Sequence, residues 1–161
     1  MDAMKLLEQQ HDEVTKLFAK LEDARGGERK KALCNEISDA LAAHATIEEK
    51  IFYPAAYARL TDDILHESLE EHLGIKRFIA DLLDMTAADE MFDAKVKVLK
   101  EQVQHHVEEE RDELFPKVRK LLDADQLEAL GQEMQSMFEE LRLKQPRRAV
   151  PAEIDKAASL R

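Results

Sequence analysis

One pattern occurs twice along this chain of 161 residues and constrains its fold more than any other feature. In each copy a single histidine is followed, after a near-equal gap, by a His-x-x-x-Glu motif. The two copies are His11 with His44 and Glu48, and His72 with His106 and Glu110. Each copy closes with an aromatic residue and a proline, Tyr53-Pro54 and Phe115-Pro116. The repetition predicts two similar halves that meet with pseudo-twofold symmetry around one site.

The composition of the chain indicates long helices with few turns. It contains four glycines, four prolines and no tryptophan, and 37% of its residues are charged, which is typical of soluble helical proteins. Its length suits one domain with a sizeable core. Apolar residues recur at spacings of three and four in four stretches, as expected for amphipathic helices that share a core.

We expect four long helices, a fifth shorter helix and a tail. The predicted helices run from Asp2 to Ala24, from Glu28 to Arg59, from a Thr61-Asp62-Asp63 cap to Met85, from an Asp89 cap to Leu122, and from Asp123 to Leu143. Short connections between them favour an all-α, antiparallel up-down-up-down four-helix bundle. This bundle is predicted to cover 1–122, with an additional C-terminal helix packed on it over 123–143. A basic tail follows over 144–161, either docked or mobile.

All six residues of the repeated pattern lie on the apolar stripes, so we expect them to point into the core. A buried carboxylate without a partner loses several kcal/mol of solvation. The inner stripes of the first, second and fourth helices carry no lysine or arginine, and Lys76, one turn after His72, is the nearby candidate partner. A bound cation supplies the missing positive charge, and the sequence therefore predicts a metal site.

The spacing within the pattern suits a pair of metal ions. Residues i and i+4 lie one turn apart on the same helical face, so His44 and Glu48 can bind one centre together, as can His106 and Glu110. The other two helices each add one histidine, and the carboxylates can bridge both ions. Imidazole and carboxylate ligands without thiolate suit iron, manganese or zinc, and bridging carboxylates favour iron.

With its two proline endings, the pattern resembles the hemerythrin-like HHE cation-binding domain. The resemblance covers about residues 1–120. It implies an antiparallel four-helix bundle around a non-haem di-iron centre with an oxo or hydroxo bridge. The roles it implies include oxygen binding, oxygen or iron sensing, repair of nitrosative stress and peroxide decomposition.

The chain departs from the oxygen-carrying hemerythrins at one ligand. Those proteins have His-x-x-x-His on the third helix, whereas Lys76 stands four residues after His72 here. The remaining pattern is similar to the mycobacterial-type hemerythrin-like proteins, for which catalase-like activity is implied. In that subgroup a tyrosine before the first proline approaches or ligates iron, and Tyr53 matches it. Tyr53 is therefore both a candidate metal ligand and the candidate catalytic residue.

Several other residues admit two interpretations. Tyr53 also fits a packing role, and Pro54 and Pro116 either distort a helix near the site or mark a helix end. His105 also forms a His-x-x-x-Glu pattern but lies off the apolar stripe, which indicates an outer or surface position. The only cysteine, Cys34, is interpreted as inert rather than as a redox sensor.

Charge and cysteine content restrict the partners that we expect. A net charge of −11 argues against binding nucleic acid. No apolar segment is long enough to span a membrane, the N-terminal residues lack a signal-peptide core, and a lone cysteine suits a cytoplasmic protein. The leading hypothesis is a di-iron protein that decomposes hydrogen peroxide under oxidative or nitrosative stress. The alternatives are an oxygen, nitric oxide or iron sensor without turnover, and a helical bundle without metal.

Overall fold

The computed structural model describes residues 1–60 and 63–160, and within them all regular structure is helical. The α-helices are α1 (Ala3–Asp23), α2 (Gly27–Ile47), α3 (Tyr53–Tyr57), α4 (Ile64–Leu83), α5 (Phe92–Glu109), α6 (Phe115–Leu121) and α7 (Ala124–Arg142). A first π segment (Glu48–Phe52) joins α2 to α3, a second (Glu110–Leu114) joins α5 to α6, and a 3-10 segment covers Pro146–Glu153. The predicted all-α bundle is confirmed, with α1, α2–α3, α4 and α5–α6 as its four rods.

Local sequence explains several of the helix ends. The Asp2 carboxylate accepts the Lys5 N–H at the start of α1, and Asp123 forms a capping box with Gln126 at the start of α7. Gly26 has a φ of 88° between α1 and α2, a conformation that favours glycine. The predicted Asp89 cap is wrong, because its carboxylate accepts the Thr86 N–H within a turn and α5 begins later, at Phe92.

The predicted cap of the third helix falls partly outside the described residues. Thr61 and Asp62 are not among them, while Asp63 directly precedes α4. The prolines sit in the first turn of α3 and α6, directly after the π segments, and both rods continue beyond them. They therefore accompany a local change of helix type rather than marking a helix end.

Two apolar clusters fill the core, and a polar layer separates them. The first cluster includes Leu7 and Ile47 together with α7 side chains such as Phe138. The second includes Val14 and Leu41. His11 lies between Leu7 and Val14 on α1, and His44 lies between Leu41 and Ile47 on α2. The same alternation on α4 and α5 places the six predicted residues in one layer across the bundle.

The basic tail is docked rather than mobile. Its 3-10 segment packs on α2 and α4, with Val150 buried in the second cluster. Arg147 is also buried and donates to Asp39 of α2 over 2.7 Å. No helix among the described residues has both the length and the apolar character needed to cross a membrane.

Candidate metal centre

The structure brings all six predicted ligands together in the polar layer, where every one is buried. His11 and His44 approach with their Nε2 atoms 3.2 Å apart, and His72 and His106 approach over 3.1 Å. Four imidazole nitrogens therefore face one another across the bundle axis, with both carboxylates between them.

The ligands divide into two groups that cross the sequence halves. One triad is His11, His44 and Glu110, and the other is Glu48, His72 and His106, with the ligand atoms of each triad within 4.8 Å of one another. Each pair of histidines from one half is thus completed by the glutamate of the other half. We call them the first and second triads.

Both carboxylates lie between the triads. Oε1 of Glu48 is 3.1 Å from Nε2 of His44 and 3.1 Å from Nε2 of His72. Oε1 of Glu110 is 3.2 Å from Nε2 of His11 and 3.3 Å from Nε2 of His106. Each glutamate thus also keeps the i,i+4 contact that its spacing predicted, which is the geometry expected of bridging carboxylates.

The donor set fits a transition metal. Oε2 of Glu48 is buried and forms no hydrogen bond within the described residues, and buried Oε1 of Glu110 meets the His11 and His106 imidazoles at 3.2 and 3.3 Å without a well-aligned hydrogen bond to either. A buried carboxylate oxygen without a partner is costly, and a cation shared with the surrounding imidazoles removes that cost. Nitrogen and oxygen donors without thiolate suit iron, manganese or zinc.

The ionisation of the layer also favours a cation. Burial opposes the charge on Glu48, but the charge of His44 and hydrogen bonds within the layer hold its pKa well below the usual value. Burial likewise disfavours the His106 imidazolium, yet the charge and hydrogen bond of Glu110 raise its pKa well above the usual value. These shifts favour a charged Glu48 carboxylate and a protonated His106, and metal ions can replace protons held in this way.

Tyr53 reaches this layer because of the first π segment. In an α-helix residues five apart are separated by about 140° around the axis. Here the Tyr53 N–H donates to the Glu48 carbonyl, an i→i+5 bond that brings Tyr53 over Glu48. Its hydroxyl donates to Oε2 of Glu110 over 2.8 Å and lies 3.3 Å from Nε2 of His72.

The Tyr53 hydroxyl is protonated in this setting. The ring is fully buried, and burial together with the charges of Glu110 and Glu48 raises its pKa well above the usual value. Metal charge nearby would act in the opposite direction. Tyr53 therefore lies among the other candidate ligands and donates a hydrogen bond to one of them, Glu110.

Phe115 is the counterpart of Tyr53 in the second half. It follows Glu110 by the same interval, and its N–H donates to the Glu110 carbonyl across the second π segment. Its ring stacks on His11 with 6.2 Å between centroids, whereas Tyr53 stacks on His72 at 5.4 Å. The pseudo-twofold symmetry thus extends to the aromatic residues, and only one of them carries a hydroxyl.

Three outer partners of the histidines were not predicted. They accept from or contact the Nδ1 atoms: Gln10 on His44 at 2.7 Å, Glu49 on His72 at 2.7 Å, and Glu71 on His106 at 2.8 Å. Each partner stands next in sequence to a ligand of a neighbouring helix. That adjacency is a usable signal, because neighbours of core ligands lie at the helix interfaces.

Lys76 and His105 have partners outside the ligand layer. Lys76, the nearby candidate partner of the two buried glutamates, pairs instead through its ammonium with Glu49 at 2.9 Å and with Glu153 of the tail at 3.4 Å. His105 lies at the surface, near Glu71 and Glu109. Helix rotation explains its position, since only every third or fourth residue faces the core.

A small cavity adjoins the layer on the side of the second apolar cluster. It has a volume of about 30 Å³, above the roughly 10–15 Å³ that one water molecule needs. Its walls are mostly apolar, and all four candidate ligand histidines, Gln10 and Lys76 also line it; the apolar residues include Val14, Leu41, Ile75, Ile79 and Val103. Tyr53 belongs to the first cluster, so cavity and hydroxyl lie on opposite sides of the layer.

Comparison with known proteins also indicates a cation-binding domain. The family profile described as "Hemerythrin HHE cation binding domain" matches residues 2–118. The chain is similar in structure to a hemerythrin HHE cation-binding domain-containing protein from Mycobacterium kansasii, with a TM-score of 0.77, 25% identity and 89% of each chain covered. It is also 24% identical over 136 residues to a DNA nickase from Nostoc sp.. That match covers 84% of this chain but 39% of the nickase.

Proposed function

Since this chain belongs to the hemerythrin HHE cation-binding domain family, we propose that it holds two iron ions joined by an oxo or hydroxo bridge. The proposed ligands are the six residues of the two triads. The observation that carries this proposal is the position of the two carboxylates, each with Oε1 between a histidine of the first triad and one of the second. Two ions rather than one account for two such groups of donors.

We propose further that the centre decomposes hydrogen peroxide. Support comes from the side chains that surround the ligands. Where oxygen carriers have a fifth histidine, Lys76 is tied to Glu49, and the Tyr53 hydroxyl lies within hydrogen-bond distance of the ligand Glu110. Bound iron would supply the redox chemistry, by polarising peroxide and exchanging electrons with it.

The protein itself would contribute access, exclusion and orientation. The cavity of about 30 Å³ admits only a molecule of a few atoms to the histidine face of the layer. Its apolar walls keep larger polar reductants away. From the other face, Tyr53 holds Glu110 in place through its hydroxyl, and in the proposal it ligates one ion or tunes its potential.

An oxygen, nitric oxide or iron binding protein without turnover is the second candidate. The observation that favours it is the apolar character of the cavity walls, since uncharged diatomic gases partition into such sites readily. Both candidates use the same centre and differ in whether the bound molecule is consumed.

Small molecules are the proposed partners, and the proposed location is the cytoplasm. We do not extend DNA nicking from the Nostoc relative to this chain. The matched region is 39% of that protein, and a net charge of −11 repels a phosphate backbone.

An oxygen electrode separates the two candidates. Sustained oxygen release from the iron-loaded protein after addition of peroxide is expected, with roughly half as much oxygen as peroxide consumed. His72→Ala should abolish the release, and His66→Ala, a change at an exposed histidine, should not. Reversible spectral changes with oxygen or nitric oxide, without release from peroxide, would favour the second candidate.

A further inference from the structure

The two triads differ in what lies behind their histidines. In the second triad, Nδ1 of His72 is 2.7 Å from Oε2 of Glu49, and Nδ1 of His106 is 2.8 Å from Oε1 of Glu71. Both outer partners are carboxylates. An imidazole that donates its Nδ1–H to a carboxylate becomes a more basic ligand through its other nitrogen.

The first triad has a neutral group behind His44. Nδ1 of His44 is 2.7 Å from Oε1 of Gln10, which is an amide. The ring of His11 stacks on Phe115, with an angle of 3° between the ring planes. The pseudo-twofold symmetry of the ligands is therefore broken in the next layer of side chains.

The Glu49 carboxylate is held in place by a buried ion pair. It is buried, and its second oxygen, Oε1, accepts from the buried ammonium of Lys76 over 2.9 Å. Lys76 also contacts Glu153 of the docked 3-10 segment at 3.4 Å. A buried lysine and glutamate need each other, so this pair fixes a carboxylate behind His72.

Resting on the proposed two-metal function, we propose that the second triad is the tighter metal site and fills first, and that the first triad is the weaker. Glu49, Glu71 and Gln10 are positioning residues that set this order through the histidines they hold. Loss of such an outer partner typically weakens metal binding about 10- to 100-fold. The two sites should therefore differ by at least about tenfold.

Titration of the metal-free full-length chain with cobalt(II), followed by visible absorption and calorimetry, tests this order. Two steps of one equivalent each are expected. Glu71→Gln and Glu49→Gln should weaken the first step about 10- to 100-fold. Gln10→Glu should strengthen the second step and bring the two together. Glu108→Gln, a change at an exposed acid of α5, should leave both steps unchanged.

Opposite results would overturn the inference. Two indistinguishable steps in the parent chain, or a first step that keeps its full affinity in Glu71→Gln, contradict it. Glu49→Gln leaves Lys76 without its buried partner, so helicity by circular dichroism is checked, and half-exposed Glu71 provides the decisive variant if Glu49→Gln unfolds. Failure to bind any cobalt would instead contradict the proposed metal centre, while two equal steps would leave that centre intact.

Discussion

At the scale of single residues, one hydroxyl group distinguishes the two aromatic residues that adjoin the site. Tyr53 and Phe115 stand at equivalent positions after Glu48 and Glu110, and each stacks on a ligand histidine. The hydroxyl of Tyr53 adds a bond of 2.8 Å to Glu110. A phenol held in this way can become a metal ligand only when positive charge lowers its pKa, which burial and two carboxylates otherwise raise.

Tyr53→Phe should remove any phenolate-to-iron absorption from the visible spectrum of the iron-loaded protein. The ring and its stacking on His72 remain, so the fold should persist with a loss of about 1–3 kcal/mol from the unpaired Glu110 oxygen. Tyr57→Phe makes the same chemical change at a tyrosine that contacts His66 instead, and should leave the spectrum unchanged. An unaltered spectrum in Tyr53→Phe would show that this residue is not a ligand.

At the scale of elements, the two π segments set which side chains face the site. Each begins at a ligand glutamate and ends before an aromatic residue and a proline. One additional residue per turn moves the aromatic residue onto the ligand face. The rods before and after each segment can then remain α-helical and keep their apolar stripes on the core.

Deletion of Lys50 should convert the first π segment to α-helix. Tyr53 would then follow Glu48 by four residues, about 40° around an α-helix, so it should stay on the ligand face. Iron content and any tyrosinate band should therefore stay close to those of the parent protein, because the π segment accommodates one extra residue without changing the face on which Tyr53 lies. Lys50 is exposed, so Lys50→Ala, which removes the side chain but keeps the register, is the matched control. A deletion variant that loses the iron or the band would contradict this account of the segment.

The contact between α7 and the chain start depends on a glycine. A Cβ at Gly131 would overlap the carbonyl oxygen of Met1 and lie 2.9 Å from the Ala3 nitrogen. Gly131→Ala should therefore destabilise the fold by about 1–3 kcal/mol, measured by denaturant unfolding. In Gly74→Ala the new Cβ meets a flexible side chain, Gln102, so a neutral or stabilising effect of up to about 1 kcal/mol is expected. Equal stabilities of the two variants would refute the close-approach argument.

At the scale of the whole molecule, the polar layer of candidate ligands joins the two sequence halves. Each triad combines two histidines of one half with the glutamate of the other, and the layer lies between the two apolar clusters. Metal binding should therefore stabilise the complete bundle, not one local segment.

This coupling should make the pH dependence of stability change with metal. Burial opposes the charge on His72 and His106, but hydrogen bonds and charges from the glutamates raise both pKa values. That stabilisation is fully present below the unfolded value of about 6.5 and is lost as the pH rises through the folded pKa. The metal-free chain should thus have a lower Tm at about pH 9 than at about pH 6, while iron-loaded protein should not. Equal Tm values for the metal-free chain at the two pH values would contradict this prediction.

The sequence was sufficient for the bundle and for the convergence of the six candidate ligands, since both follow from helical periodicity in a repeated pattern. It was not sufficient for Glu49 and Glu71, because their contacts depend on how neighbouring helices are rotated against each other. Uniform periodicity also concealed the π segments that bring Tyr53 to the layer. The docking of the tail depends on a few contacts, such as Arg147 with Asp39. The spacing of apolar residues in the sequence does not predict such contacts.

The most direct test of the central claim is the metal content of the purified full-length protein, measured by inductively coupled plasma mass spectrometry. Two irons per chain are predicted. A variant that combines Glu48→Ala and Glu110→Ala should lose both irons or keep only weakly bound metal. Glu101→Ala and Glu108→Ala together, which alter two exposed acids of α5 outside both triads, should retain two irons. A parent protein without metal, or a Glu48 and Glu110 double variant that keeps two irons, would contradict the account.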